Sequence, residues 1–367
     1  MSTATNQFRP DYAIHPGEYL EEVLEARGVH KNEFALRCGL TAKTVSQIVN
    51  RRVAFSPEAA IQFEKVLGIS ADIWMGLLSA YQLHETRRRE IHELNDAREW
   101  AKQFPLRDLR KRGILKSTRI SAECVRELLE FFGVSSPASW ERVYGGKSIA
   151  YRKSPTVPGS FYAVATWLRI AETRAEERDT QPFDPGRLRD SLPTMRSLTA
   201  RPPDEFGPEI VRLCAAAGVA LVCVPEVAGA RISGAAEWLS SNRAMVALSL
   251  RHKTDDHFWF TVFHEIGHVI LHGKKRIFID DDDEKADSQE ESQANEFARR
   301  VLIPKQEYER LISRGPLYAD DIEEFADRIR IAPGIVAGML QHDGLIEYSW
   351  HNKLKRRLEC DELDGVV

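Results

Sequence analysis

Apolar residues recur at three- and four-residue intervals along most of the chain, which is the spacing of amphipathic helices. The pattern is densest between Tyr12 and about Leu83, where it predicts five short helices. Pro16 suits the first turn of one helix and Thr41 suits the N-cap of another, because a helix start leaves backbone N–H groups unpaired. This part of the chain is therefore predicted to be an all-α domain.

The pattern changes after Pro202-Pro203, where helices and strands mix. The apolar run 220–224 predicts a buried strand, and segments 235–239 and 244–248 predict a β-hairpin around Ser240-Ser241-Asn242. Residues 258–272 return to helical spacing. The predicted fold class is α+β and mostly helical, with an all-α N-terminal domain and a C-terminal domain that contains a small β-sheet.

The composition is that of a folded globular protein. The chain has 367 residues, of which 43% are hydrophobic and 29% are charged, so we expect two or three domains. Every apolar run is far shorter than the ~20 residues of a membrane span, and the polar N-terminus lacks the apolar core of a signal peptide. We therefore expect a cytoplasmic protein with no membrane partner.

The five cysteines include no C-x-x-C pair, and their odd number and wide spacing favour reduced thiols over a disulfide framework. The formal net charge is −4, so a nucleic-acid role would depend on local basic patches.

Two short predicted helices on either side of Gly39 have the dimensions of a helix-turn-helix. Val45 and Ile48 give the second helix an inward face. Asn and Gln pair with adenine edges and Lys pairs with guanine, while arginines neutralise phosphates. The candidate DNA-binding residues on the outward side are Ala42, Lys43, Ser46, Gln47, Asn50, Arg51 and Arg52. A helical bundle with a polar face, or a protein-binding module, has the same pattern, so both alternatives stay open.

This segment resembles the HigA-type antitoxin branch of the lambda-repressor-like (XRE) family over about 70 residues. The resemblance is carried by His15-Pro16-Gly17-Glu18, Glu33-Phe34-Ala35, Asn50-Arg51-Arg52, Ala59-Ala60 and Gly68-Ile69-Ser70 with Trp74. It implies a DNA-reading helix at 42–50 and double-stranded operator DNA as a partner. It also implies a homodimer that reads two half-sites one helical turn apart.

A metal site is predicted by the sequence His264-Glu265-Ile266-Gly267-His268, which lies in a segment of strong helical periodicity. His264 and His268 are four residues apart, so both imidazoles can face one ion. Glu265 lies beside them as a base that takes a proton from the attacking water. Two surface histidines on an amphipathic helix would give the same short pattern by chance.

A third ligand is expected from a second predicted helix that begins near Glu291, because a catalytic zinc has three protein ligands. Glu291 shares a face with the small residues Ala294 and Ala298, and Asn295 is placed to fix the tautomer of a ligand histidine. Glu290 and Glu296 are rival ligands. His272 is a further residue expected to support the ligands, and with Tyr308 it is a guess for the donor to the oxyanion.

The closest resemblance is to the ImmA/IrrE family of zinc metallopeptidases, which are gluzincin-like. It is carried by residues 258–272, by Glu291-x-x-Ala294-Asn295-x-Phe297-Ala298 and by Leu302-x-Pro304, within a similarity that runs from Ile232 to Leu345. It implies Zn²⁺ as the cofactor, His264, His268 and Glu291 as ligands, and Glu265 as the catalytic acid and base. Several members cleave a transcriptional repressor, so the implied substrate is a repressor or an antitoxin.

These patterns predict four regions. They are a helix-turn-helix domain at 1–84, a helical intermediate region at 85–203, a zinc peptidase domain at 204–350 that ends in a second helix-turn-helix shape used for packing, and a tail at 351–367. The leading hypothesis is a DNA-binding transcription regulator that carries a zinc endopeptidase, with a role in toxin–antitoxin or stress responses. The alternatives are a regulator whose zincin fold senses a ligand or partner without hydrolysis, and a pure antitoxin. Strand 235–239 is predicted to be a sheet edge to which an extended substrate adds.

Overall fold

The computed structural model describes residues 12–151, 161–273, 278–280, 289–315 and 317–360, and it omits the side chains of 146–151 and 279–280. The chain divides into two compact units, Met1–Ala97 and Arg98–Val367. The predicted intermediate region therefore falls mostly within the second unit, while the exact domain boundaries stay a prediction. Among the described residues, no helix is both long enough and apolar enough to cross a membrane.

The first unit consists of helices, as the sequence predicts. They are α1 (Pro16–Ala26), α2 (Lys31–Cys38), α3 (Ala42–Val49), α4 (Pro57–Leu67) and α5 (Ala71–Asp96). The Thr41 hydroxyl accepts a hydrogen bond from the Thr44 N–H at the start of α3, which confirms its role as an N-cap. Aromatic rings pack in the core of this unit. The centroid of the Phe63 ring lies 5.2 Å from that of Phe34 and 5.6 Å from that of Trp74. Rings at such distances add attraction beyond the burial of their area.

In the described part of the second unit, seven helices precede the sheet. They are α6 (Arg98–Ala101), α7 (Leu106–Lys111), α8 (Ala122–Phe132), α9 (Pro137–Tyr151), α10 (Phe161–Glu176), α11 (Pro185–Leu198) and α12 (Pro203–Ala216). Helix α10 packs on one face of the sheet, where the buried Trp167 donates a hydrogen bond from Nε1 to the Val224 carbonyl at 2.9 Å. Residues assigned no chemistry by the sequence thus form the layer that supports the sheet.

The sheet has four strands in the order β1-β3-β2-β4. They are β1 (Val219–Cys223), β2 (Gly234–Ser240), β3 (Arg243–Leu248) and β4 (Phe278–Asp280). β1 and β3 are parallel, whereas β2 is antiparallel to both of its neighbours. The predicted hairpin is confirmed as β2 and β3. The prediction that strand 235–239 is a free edge is wrong at residues 235 and 236, because β4 pairs with residues 234–236 of β2.

The other face of the sheet carries α11, α12 and the helices that follow β3. The helices after β3 are α13 (Asp255–Leu271), α14 (Gln289–Leu302), α15 (Lys305–Ile312), α16 (Ala319–Ile329) and α17 (Pro333–His342). A large core of buried residues from β1, β2, β3 and these helices lies between the two layers. Helices α16 and α17 pack together where the second helix-turn-helix shape is predicted, and α17 packs against α13 with its Ile335, Val336 and Leu340 side chains buried.

The segment after α17 is attached to the start of α13. Lys355 Nζ lies 2.7 Å from Asp256 Oδ2, and the Arg356 N–H donates to Asp255 Oδ1 at 3.0 Å. Both carboxylates are buried, and a β-bridge joins Thr254 to Arg357. The part of the predicted tail up to residue 360 is therefore packed against the unit, and residues 361–367 lie outside the described residues.

The expectation of five reduced thiols is wrong. A disulfide joins Cys223, at the end of β1, to Cys360, and the two Cα atoms are 5.7 Å apart. The two residues are 137 positions apart in the chain, so only the fold brings them together and no local spacing could indicate the pair. Cys38, Cys124 and Cys214 are free and buried.

Counting thiols tests this disulfide directly. In protein purified without reductant and then denatured, we expect alkylation to modify the three free cysteines and reduction to raise the number to five. Intact mass spectrometry measures both numbers. The variant Cys360→Ser frees Cys223, so it should show four modified thiols before and after reduction. Five modified thiols in the unreduced parent chain would contradict the disulfide.

Candidate metal centre and DNA-binding surface

Helices α13 and α14 pack closely enough for side chains from the two helices to meet. Gly267 faces α14, and a Cβ on this residue would lie 3.1 Å from a ring carbon of Phe297 and 3.4 Å from the Cα of Ala294. Ala294 and Ala298 are fully buried at the same contact. Small residues on both helices therefore set the short distance between α13 and α14.

This packing brings His264, His268 and Glu291 together. The Nε2 atoms of His264 and His268 are 3.0 Å apart, while the Glu291 carboxylate oxygens lie 3.1 Å from His264 Nε2 and 3.3 Å from His268 Nε2. They form the one cluster of three or more metal-ligand side chains found among the described residues. The sequence predicted this set, including the choice of Glu291 among neighbouring acids.

The three donor atoms fit a divalent metal such as zinc. Ligand atoms about 2.0–2.1 Å from a tetrahedral zinc lie roughly 3.3–3.4 Å from one another, which is close to the observed separations. Burial lowers the pKa of the His268 imidazole. Burial alone would raise the pKa of the Glu291 carboxyl, but its contacts with the His264 and His268 rings outweigh burial and bring the pKa to about 2. Neutral imidazoles and an ionised carboxylate are the forms that coordinate a metal.

Two further residues contact the cluster or the helix ends beside it. Asn295 Oδ1 accepts a hydrogen bond from Nδ1 of His264 at 2.9 Å, which leaves the lone pair on Nε2 directed at the cluster. His272 Nε2 donates to the backbone carbonyl of Glu290 at 3.1 Å and so ties the end of α13 to the start of α14, beside Glu291. These contacts place both residues where the sequence analysis expected supporting residues.

Glu265 is fully buried between α13 and strand β2. A Cβ on Gly234 would lie 2.6 Å from the Glu265 Oε1 atom and 2.6 Å from the Thr261 methyl carbon, so a larger residue here would displace one of these side chains. Gly234 thus allows the carboxylate to lie against the sheet. Gly234 was missed at the level of sequence, where its only signal is its place near the start of the family similarity that runs from Ile232 to Leu345.

Phe278 of β4 covers the metal-ligand cluster, and it too was missed. Its ring stacks on the His268 imidazole with a centroid distance of 4.1 Å and an interplanar angle of 14°. His264 and His268 are each 1% exposed, and the Glu291 side chain is 26% exposed. A phenylalanine beside an acidic run gives no sequence signal for such a contact.

The rival residues have other contacts. Glu296 is exposed and pairs with Arg300 at 2.5 Å, while Glu290 meets His272 through its backbone carbonyl. The Tyr308 hydroxyl donates to Asp343 at 2.5 Å, and Arg299 pairs with the same carboxylate. The contacts of Tyr308 therefore place it in a structural network with α14 and α17 and not with the candidate ligands.

Helix α3 presents the predicted DNA-binding positions on one side. Ala42, Lys43, Asn50, Arg51 and Arg52 are exposed, Ser46 and Gln47 are half-buried, and the core residues Val45 and Ile48 are buried. The Asn50 side chain donates to the Ser46 carbonyl at 2.7 Å and so closes the helix end. This division of buried and exposed positions is the one that the periodicity predicts.

The local positive charge is partly compensated in the folded unit. Arg51 forms an ion pair with Glu18 on α1, and Arg37 pairs with Glu33 at 2.5 Å. Lys43 and Arg52 show no ion pair within the described part of the chain. They are therefore the cations best placed to contact phosphate from this surface.

Comparisons with known proteins agree with these two parts. Residues 224–341 match the IrrE N-terminal-like domain family, and residues 20–74 match the helix-turn-helix family. An uncharacterised HTH-type transcriptional regulator of Escherichia coli, YddM, is 32% identical over 73 residues, which are 20% of this chain and 78% of YddM.

Two solved structures are also similar to the N-terminal part. An antidote protein of a plasmid maintenance system from Nostoc punctiforme is 25% identical, with a TM-score of 0.21, over 21% of this chain and 85% of that protein. An addiction module antidote protein of the HigA family from Coxiella burnetii is 26% identical, with a TM-score of 0.20, over 22% of this chain and 87% of that protein. By the YddM match and the two family matches, the chain belongs to the helix-turn-helix transcriptional regulators and carries an IrrE-like domain at residues 224–341.

Proposed function

We propose that the chain is a DNA-binding transcription regulator whose second unit hydrolyses a peptide bond in a protein, with Zn²⁺ held by His264, His268 and Glu291. One observation carries this proposal. Three donor atoms of the kinds that zinc prefers meet within 3.0–3.3 Å, and a buried carboxylate follows the first of them in the chain. The match to the IrrE N-terminal-like domain family supports it.

The proposed reaction divides the chemistry between the metal and the chain. When bound, zinc supplies Lewis acidity, which acidifies water and polarises the carbonyl of the peptide bond. Glu265 takes the proton of the attacking water and gives it to the departing nitrogen. Its buried position excludes competing solvent, and Gly234 leaves space for its carboxylate beside the sheet. Asn295 and His272 keep the ligands in place during these steps.

The substrate class follows from the pairing of the two parts. A regulator that binds an operator is placed to act on proteins of the same control circuit, so we propose a repressor or an antitoxin as the substrate. We also propose a cytoplasmic location and a homodimer, since two recognition helices would then meet two half-sites.

The near-complete burial of His264, His268 and Glu265 favours one second candidate. In this alternative the domain senses a ligand or a partner without hydrolysis. It predicts that no protein is cleaved even when zinc is present.

A cleavage assay decides between them. The full chain is first analysed for bound metal, and is then incubated with the product of the neighbouring gene and with a mixture of denatured proteins. Mass spectrometry identifies new termini. We expect cuts that need zinc and that stop when a chelator removes it. Metal-loaded protein that makes no cut in any sample would refute hydrolysis and support the sensing role.

Operator binding makes a separate prediction. Gln47→Ala should weaken binding to the operator by about 1–3 kcal/mol, because a pair of hydrogen bonds to a base edge is lost. Lys43→Ala should weaken binding to all sequences alike and lower the salt dependence by about one unit, as expected for a phosphate contact. Fluorescence anisotropy at several salt concentrations measures both effects.

The control for these variants is Lys31→Ala, since Lys31 pairs with Glu21 at 2.5 Å and lies at the start of α2. It should leave affinity and salt dependence unchanged. Equal affinities for Gln47→Ala, Lys43→Ala and the parent chain would contradict the assignment of α3 as the reading helix.

A further inference from the structure

The candidate peptidase site is closed in this structure. The proposed proton carrier Glu265 is fully buried, and the two ligand histidines are each 1% exposed. A peptide bond must reach both the metal and this carboxylate before it is cut, so some element has to give way first. Any assignment of a substrate to this site rests on the proposed function.

Strand β4 contacts His268 and pairs with the strand against which Glu265 packs. It pairs antiparallel with β2, with Gly234 opposite Asp280, Ala235 opposite Ile279 and Ala236 opposite Phe278. Gly234 is also the residue against which the Glu265 carboxylate packs. β4 therefore adds a strand to the sheet at the point nearest the catalytic carboxylate, which is how an extended peptide binds an exposed sheet edge.

The aromatic side chain of β4 makes the second contact. Phe278 is 9% exposed, and its ring lies parallel to the His268 ring with a centroid distance of 4.1 Å and at 5.2 Å from the His272 ring. Strand pairing and a ring on a metal-ligand histidine are two separate contacts at one place. Together they are the contacts that a bound substrate strand with one large apolar side chain would make.

We propose that β4 is an internal occupant of the substrate position and keeps the site closed until a substrate displaces it. The substrate is an extended segment of a protein that carries an aromatic or large apolar residue. Its backbone pairs with β2 at Gly234–Ala236, and its large side chain takes the place of the Phe278 ring on His268.

This arrangement makes binding a competition. The apparent dissociation constant of any external strand is its intrinsic value divided by the fraction of molecules in which β4 has left β2. Weakening β4 raises that fraction and tightens external binding without any new contact. The largest possible gain in affinity is set by the fraction of parent molecules in which β4 has already left β2.

A peptide copy of the segment tests the proposal. The probe is a fluorescein-labelled synthetic peptide with the sequence of residues 274–284, Lys-Lys-Arg-Ile-Phe-Ile-Asp-Asp-Asp-Asp-Glu. Binding is measured by anisotropy to full chains that carry Glu265→Gln, so that the peptide is not consumed. Three such chains are compared. The first carries no further change, and the second also carries Phe278→Ala. The third carries Phe278→Gly, Ile279→Ser and Asp280→Gly, which removes the strand if the single change does not.

Two controls accompany the probe. Phe131→Ala removes a ring of the same size from the contact with Phe132 elsewhere in the second unit. A second peptide replaces its own phenylalanine with alanine. Circular dichroism and bound zinc are checked for every chain.

We expect the probe to bind the Phe278→Ala chain or the triple variant at least ~tenfold more tightly than the chain with intact β4 and than Phe131→Ala. The alanine peptide should lose at least ~tenfold of that affinity. Equal dissociation constants for all chains, or equal binding of the two peptides, would overturn the proposal.

Cleavage by chains that retain Glu265 separates this proposal from the proposed function. If Phe278→Ala cleaves a peptide mixture faster than the parent chain, and cuts next to aromatic or large apolar residues, the result supports both the role of β4 and the hydrolysis. Tighter probe binding with no cleavage by any chain would sustain the role of β4 and refute the hydrolysis.

Discussion

The substitution Glu265→Gln is expected to slow peptide hydrolysis by ~10²–10⁴-fold, which is the usual contribution of a general acid and base. The amide keeps the size of the side chain beside Gly234 but neither accepts nor returns a proton. Because Glu265 is not among the three clustered metal-ligand side chains, we expect zinc content to remain at the parent level. Operator affinity should also be unchanged, since the helix-turn-helix match lies at residues 20–74. Initial rates on a cleaved peptide identified by mass spectrometry give the comparison.

The matched control is Glu296→Gln, which makes the same chemical change on α14 at an exposed residue that pairs with Arg300. It should cut at the parent rate. If Glu265→Gln is as fast as this control while both hold zinc, the proposed proton carrier is wrong.

The substitution Glu291→Gln is expected to raise the zinc dissociation constant by ~10²–10³-fold. Structural zinc sites are worth roughly 10–16 kcal/mol with four ligands, so loss of one ligand costs a share of about 3–4 kcal/mol. The carboxylate lies 3.1 Å and 3.3 Å from the two ring nitrogens, so its replacement leaves two imidazoles to hold the ion. Competition with a fluorescent chelator measures the constant.

The neighbouring acids supply the controls. Glu290→Gln leaves the backbone carbonyl that His272 contacts, and Glu296→Gln changes a residue that pairs with Arg300. Both should hold zinc as the parent does. A larger loss of zinc affinity in either of them than in Glu291→Gln would transfer the ligand role to that acid.

The substitution Asn295→Ala should weaken zinc binding by about 10–100-fold, which lies between these cases, because a ligand histidine loses the partner that fixes its tautomer.

The clustering of His264, His268 and Glu291 could be predicted from sequence because each of the two helices carries a local signal. His264 and His268 share one helix face, and Glu291, Ala294 and Asn295 share another, so helical spacing alone groups them. The outward positions of α3 follow from the same periodicity. Each of these predictions needs only one helix to be recognised.

The contacts that closed the site could not be predicted in this way. β4 has three residues, and its partner strand begins 44 positions earlier in the chain, from Phe278 back to Gly234. Short strands carry almost no periodicity, and pairing between distant segments is decided by tertiary packing. The Cys223–Cys360 disulfide was missed for the same reason, since it joins the end of β1 to a segment 137 residues later.

The attachment of Lys355 and Arg356 to the start of α13 has a practical consequence for enzymology. Removing residues 351–360 would strip the countercharges from two buried carboxylates, Asp255 and Asp256, at the head of the helix that bears the ligands. An uncompensated buried charge costs several kcal/mol, so the truncated protein would lose solubility or metal together with its last residues. An inactive truncation would therefore say nothing about substrate recognition.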